Sequence, residues 1–138
     1  MGQATVDLEA VRDHLQTTGV TYAVLFGSYA SGNPTESSDV DICVRFPDDW
    51  TRHERFRQRN RIDAHLQRCA EAFVDVSDLQ ALPDEIALNA LEKGTILYGD
   101  ETVKATDQRR LKNRVEDSEA SRLEERRSFV DRLAEGDV

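Results

Sequence analysis

Gly27-Ser28 and, ten residues on, Asp39-Val40-Asp41 are the residue types and the spacing in this chain that could do chemistry. Three apolar residues, Val24, Leu25 and Phe26, lead into the Gly-Ser turn. A loop of small residues follows, and then a second apolar run opens with the two carboxylates. In a strand, residues i and i+2 project from the same face, so Asp39 and Asp41 would stand side by side while Val40, Ile42, Val44 and Phe46 point into a core. Two anions on one strand face repel unless a cation lies between them, and a divalent metal with oxygen ligands is the natural occupant. A Gly-Ser turn nearby could offer backbone N–H groups and a hydroxyl to phosphate oxygens. Metal and phosphates together point to a nucleoside triphosphate. Taken alone, an Asp-x-Asp at a strand start is an ordinary solvated strand end; the turn at this distance gives it chemical meaning.

The elements that must position these residues follow from apolar spacing. Leu8, Val11 and Leu15 predict a helix from Asp7 to Thr17, closed by Gly19. Thr21–Phe26 and Val40–Phe46 read as strands, and residues 29–38, rich in Ser, Gly, Asn, Pro and Thr, as loop. Thr51–Ala72 reads as helix with a stripe of Ile62, Leu66, Cys69, Ala70 and Phe73. Phe73–Leu79 reads as a third strand, with Val74 and Val76 facing one way and Asp75 and Ser77 the other. Pro83 suits the first turn of a helix through Glu92, with Ile86, Ala87, Ala90 and Leu91 inward, and Thr95–Tyr98 is a short extended piece. These elements predict an α+β (mixed α/β) fold, a small mixed sheet with helices packed on one face. A domain of residues 1–99 is expected, followed by a charged helical extension, residues 100–138, which holds nine basic and eleven acidic side chains.

Composition narrows the function classes. The net charge is −9, which argues against direct nucleic-acid binding. No apolar run approaches the roughly 18 residues of a membrane span, and the N-terminus has neither a basic nor an apolar leader segment, so a soluble cytoplasmic protein is expected. Cys43 and Cys69 read as two buried thiols, and no Cys/His cluster has zinc spacing. Arg52, Arg55, Arg57, Arg59 and Arg61 form a basic run that is either an exposed helix face or a surface for an acidic partner or leaving pyrophosphate; positions 55 and 59 share one side of a helix with 62, positions 57 and 61 another. Trp50 is expected to cover the start of the helix that follows it.

The Gly-Ser, ten-residue gap and Asp-x-Asp together resemble the signature of the minimal nucleotidyltransferases of the polymerase-β-like superfamily. The similarity continues through Val74-Asp75-Val76, where such proteins place a third carboxylate, and into Ala90–Tyr98; it covers about residues 5–99. The resemblance implies a Mg²⁺-dependent nucleotidyltransferase. Asp39, Asp41 and Asp75 would be its catalytic and metal-binding residues, holding two Mg²⁺ ions, and Gly27 and Ser28 would bind the nucleotide. Small members of this group act as MNT antitoxins of type VII toxin–antitoxin systems. They transfer AMP from ATP to a tyrosine of a HEPN-domain ribonuclease toxin, which implies ATP as substrate, a HEPN toxin as partner and a hetero-oligomer. One departure stands out: Ser31 occupies the place where the family loop commonly carries Arg, leaving less positive charge for the triphosphate. The other readings are an antitoxin that acts mainly by binding its toxin, which Ser31 favours, and a small-molecule nucleotidyltransferase of the aminoglycoside-modifying type.

Overall fold

Four strands form a single mixed sheet in the order β3-β2-β1-β4. They are β1 (Tyr22–Phe26), β2 (Val40–Arg45), β3 (Val74–Asp78) and β4 (Thr95–Gly99). The computed structural model describes residues 6–26, 40–70 and 73–134. β1 runs antiparallel to both β2 and β4, and β2 runs parallel to β3. Helices α1 (Leu8–Leu15), α2 (Arg52–Leu66), α3 (Asp84–Lys93) and α4 (Glu101–Ala134) complete the chain.

The mixed α/β class is as expected, but the helices are not confined to one face. Val11 and Leu15 of α1 and Ile62 and Leu66 of α2 pack on Ala23, Leu25, Ile42, Val44, Val74 and Val76. On the opposite face, Ala87 and Leu91 of α3 and Leu111 of α4 cover Tyr22, Val24 and Cys43. The cause lies in the central strands: β1 is apolar at every position, so neither of its faces can be left in water.

Side-chain caps start the first two helices. Asp7 caps α1, its Oδ1 accepting from Ala10 N at 3.0 Å. Thr51 and Glu54 form a reciprocal capping box on α2. The helix expected to reach Ala72 stops at Leu66, and a 3-10 turn, Gln67–Cys69, carries the chain toward β3. That turn rotates the apolar stripe out of phase, so Phe73 is 61% exposed and Cys69 only half-buried, whereas Cys43 is buried as expected. Ile86 is likewise exposed while Ala87, Ala90 and Leu91 are buried. Trp50 stacks on Phe46 with ring centroids 5.1 Å apart, beside Gly19. At Gly99, φ is +103° and a Cβ would stand 2.3 Å from Thr21 O, so only glycine lets β4 close on β1 there.

α1 and α2 meet through a stacked imidazole pair, His14 and His65, with centroids 3.7 Å apart and planes 7° apart. Burial, and then the neighbouring His65, lowers the His14 pKa below its ordinary value. A group whose folded pKa is depressed contributes stability above its unfolded pKa, about 6.5 for histidine, and that contribution is lost as the pH falls through the folded value. The melting temperature is therefore expected to drop below about pH 6.5. The drop should be shallower in His14→Leu, as thermal unfolding across a buffer series will show.

Candidate active site

Asp41 and Asp75 face each other directly across the parallel β2–β3 ladder. Their strand neighbours Val40, Ile42, Val74 and Val76 are buried in the α1/α2 core, so strict alternation sends both carboxylates to the opposite face. Adjacent parallel strands are about 4.8 Å apart, which places the two side chains as immediate neighbours. Asp41 is half-buried and Asp75 exposed. Among the described residues, α3 and α4 cover this face over Tyr22, Val24 and Cys43, and the acidic pair sits beyond them toward the β3 edge.

Phe26, the last residue of β1, pairs with Asp41, so the chain leaves the sheet beside Asp41 and rejoins it at Val40. The expected nucleotide-binding residues Gly27 and Ser28, the first carboxylate Asp39, and Ser31 all lie outside the described residues. The structure therefore brings together Asp41 and Asp75 of the expected set. Among the described residues, no group of three or more His, Cys, Asp or Glu side chains is arranged to hold a metal ion. The two carboxylates that are described present hard oxygen donors side by side, the donor chemistry that Mg²⁺ selects.

The sequence pattern missed how β3, an edge strand carrying Asp75, is kept in place. Gln67 donates to Val74 O and accepts from Val74 N at 3.2 Å, imitating a neighbouring strand. Arg59 donates to Val76 O. Arg55 Nε bonds Asp78 Oδ2 at 2.9 Å, and Asp78 is 8% exposed. Gln67 and Arg59 satisfy outer backbone groups of an edge that would otherwise be free to pair with another chain. Two members of the basic run are thus committed to bracing β3, and the i,i+4 spacing of Arg55 and Arg59 was the signal for it.

Elsewhere on the molecule, a concavity of about 180 Å³ lies between Arg45, Asp48, Gln80 and Arg110. It stands at the far end of β2 from Asp41, so it is separate from the acidic pair.

The family model for "Polymerase beta, Nucleotidyltransferase" matches residues 9–102, a span that contains both acidic positions. The chain belongs to this nucleotidyltransferase family. A protein of Methanocaldococcus jannaschii provisionally named as a protein adenylyltransferase is 29% identical over 92 residues, covering 64% of this chain and 90% of that one. In three dimensions the nucleotidyltransferase is similar to a chain in a crystal structure of a toxin–antitoxin with AMP-PNP (TM-score 0.68, 20% identity), over 94% of this chain and 99% of that one. It is also similar to a chain in the complex of a tri-AMPylated Shewanella oneidensis HEPN toxin with its MNT antitoxin (TM-score 0.57, 17% identity), over 92% and 98% of the two chains. At these identities the structural likeness establishes the shared fold. No helix among the described residues is long and apolar enough to cross a membrane.

Proposed function

We propose that this nucleotidyltransferase is a type VII MNT antitoxin that transfers AMP from ATP to a tyrosine of a HEPN-domain ribonuclease toxin in the cytoplasm, and so disables it. The observation that carries the reading is the Asp41–Asp75 pairing across β2 and β3, with Asp75 exposed. Support comes from the AMP-PNP and HEPN toxin in the complexes of its structural neighbours and from the adenylyltransferase name of its archaeal relative. Residues 1–99 are assigned to catalysis and residues 100–138 to an extension, and the family match ending at 102 supports that division.

In this reading the acceptor hydroxyl attacks the α-phosphorus of ATP, a bond forms between the tyrosine oxygen and phosphorus, and the bond to pyrophosphate breaks. Asp39, Asp41 and Asp75 would hold Mg²⁺, which supplies charge neutralisation on the triphosphate and acidifies the nucleophile. The chain's own tasks are positional and protonic. Gly27 and Ser28 grip the β- and γ-phosphates, Gly27 because a backbone cradle leaves no room for a Cβ against phosphate. Asp75, the exposed member on the edge strand, stands on the acceptor side and takes the phenolic proton, which a tyrosine of pKa about 10 does not release unaided near neutrality. Bracing of β3 by Arg55, Arg59 and Gln67 holds that carboxylate in register with Asp41.

Incubation of the chain with ATP labelled on the α-phosphate, Mg²⁺ and the ribonuclease encoded beside it tests the proposal. Label is expected on a tyrosine of the ribonuclease and on no other residue type, with ribonuclease activity lost in parallel. If wild type transfers no label, yet inhibition persists in the Asp39→Ala plus Asp41→Ala variant, the binding-only reading that Ser31 favours replaces it.

A further inference from the structure

α4 is 34 residues long, so it extends for about 50 Å at 1.5 Å per residue. It is anchored as far as Arg122: Asp107 and Leu111 are buried, Arg114 bonds Asp84 and Arg122 bonds Glu85, each at 2.9 Å. Those two bonds reach the first turn of α3, and α4 continues beyond it. From position 116 to position 134 every residue is exposed. An isolated helical stretch of that length is marginal in water unless its apolar face is covered.

The overrun carries such a face. Phe129 stands five turns beyond Leu111, and Leu133 five turns beyond Val115, at about 3.6 residues per turn. The seam that α4 uses on the core thus continues past the core. Val130 and Leu123, two turns apart, widen it, and the four side chains are 45–64% exposed. Arg126 lies in the middle of this stripe. Its i±3 and i±4 neighbours are Leu123, Phe129, Arg122 and Val130, so no carboxylate of its own helix can reach it. Among the described residues it makes no ion pair, in contrast to Arg122.

The charge pattern selects the occupant. An antiparallel second copy centred on this stripe would set Arg126 against its own equivalent, in a chain that already carries a net charge of −9. We infer that the outer half of α4 is a docking surface for an amphipathic helix of a partner protein, one that lays apolar side chains on Phe129, Val130 and Leu133 and a carboxylate on Arg126. The inference rests on the partner reading above and names the part of this chain that holds the ribonuclease.

Affinity of the full chain for the neighbouring ribonuclease is the measurement, by surface plasmon resonance at low and high salt. Phe129→Glu with Leu133→Glu is expected to weaken binding about 100-fold or more. Arg126→Glu should weaken it about tenfold, most at low salt, whereas Arg126→Lys stays within a few-fold of wild type. Equal melting temperatures show that the fold is intact. If wild type binds and the double variant binds as tightly, the surface lies elsewhere and the partner reading survives. If Arg126→Glu binds like wild type, the acidic chemistry is wrong. A wild-type dimer that the double variant abolishes, seen by sedimentation without partner, would assign the stripe to a second copy and overturn the inference. A ribonuclease that wild type does not bind removes both readings together.

Discussion

An Asp75→Asn variant is expected to lose nucleotidyl transfer by about 10³-fold while unfolding at the wild-type temperature or slightly above it. The two halves of this expectation come from the same geometry. Asp75 is exposed and lies opposite Asp41 in the β2–β3 ladder, so in the folded chain the pair is a like-charge contact whose removal relieves repulsion. Among the described residues its side chain accepts no hydrogen bond and makes no ion pair, and β3 is held by groups that do not involve its carboxylate. Asparagine keeps the shape and discards the charge. A residue kept for stability would lower the melting point when replaced; one kept for chemistry would not. Rates of label transfer from α-labelled ATP, read beside thermal unfolding of the same preparations, separate the two. If transfer survives in Asp75→Asn, the third carboxylate is not part of the site; if rate and melting temperature fall together, its role is structural.

The strands that carry the acidic pair were legible in the sequence because their signal is local. Val40, Ile42 and Val44 alternate with Asp41 and Cys43, and Val74 and Val76 with Asp75, so period two alone indicated which way each carboxylate points. The parallel register that sets Asp41 beside Asp75 was not legible, since it depends on how far α2 and its 3-10 turn carry the chain before β3 begins. The same turn explains Phe73: helical spacing was read through a point where the helix had already ended. Ile86 shows another limit. Periodicity gives the width of an apolar face but not which edge of it meets the core, and here the core takes Ala87, Ala90 and Leu91 instead. Helices on both faces of the sheet did have a signal. The unbroken apolar run Tyr22-Ala-Val-Leu-Phe26 has no polar face to leave in water, and a strand of that kind requires cover on each side.

One consequence joins fold to site. The second face must be covered over Tyr22, Val24 and Cys43, which are buried there, and yet leave Asp75 exposed beside Asp41 toward the β3 edge. α3 and α4 meet both demands by packing over one half of the sheet. Their placement depends on where α4 is fixed, and that depends on a buried cluster that spacing could not reveal, because its members are 85 and 62 positions apart in the chain.

That cluster is the basis of the largest expected change in stability. Asp107 of α4 is 6% exposed; its Oδ2 accepts from Tyr22 Oη at 2.6 Å and from Arg45 Nε at 2.9 Å. Arg45, also 6% exposed, completes its bonding with Phe46 O at 2.8 Å and Asp48 Oδ1 at 2.9 Å. Burial and then the bond to Asp107 push the Tyr22 pKa well above its ordinary value, so the phenol stays protonated and serves as a donor throughout the working range. Asp107→Ala removes the acceptor for both groups and leaves the buried guanidinium with only the solvent-exposed Asp48 as counter-charge. Breaking a buried pair in this way costs about 3–5 kcal/mol, equivalent to a fall in melting temperature on the order of 10 °C for a chain of this size. Arg45→Met with Asp107→Leu is expected to recover most of that loss, because apolar side chains of similar volume need no partner in the interior; Tyr22→Phe added to the pair removes the one hydroxyl that would then lack an acceptor. A double variant no more stable than Asp107→Ala would show that the cluster contributes through its hydrogen bonds to Tyr22 and Phe46 and not through the compensation of charge, a distinction that chemical denaturation of the three variants beside wild type measures directly.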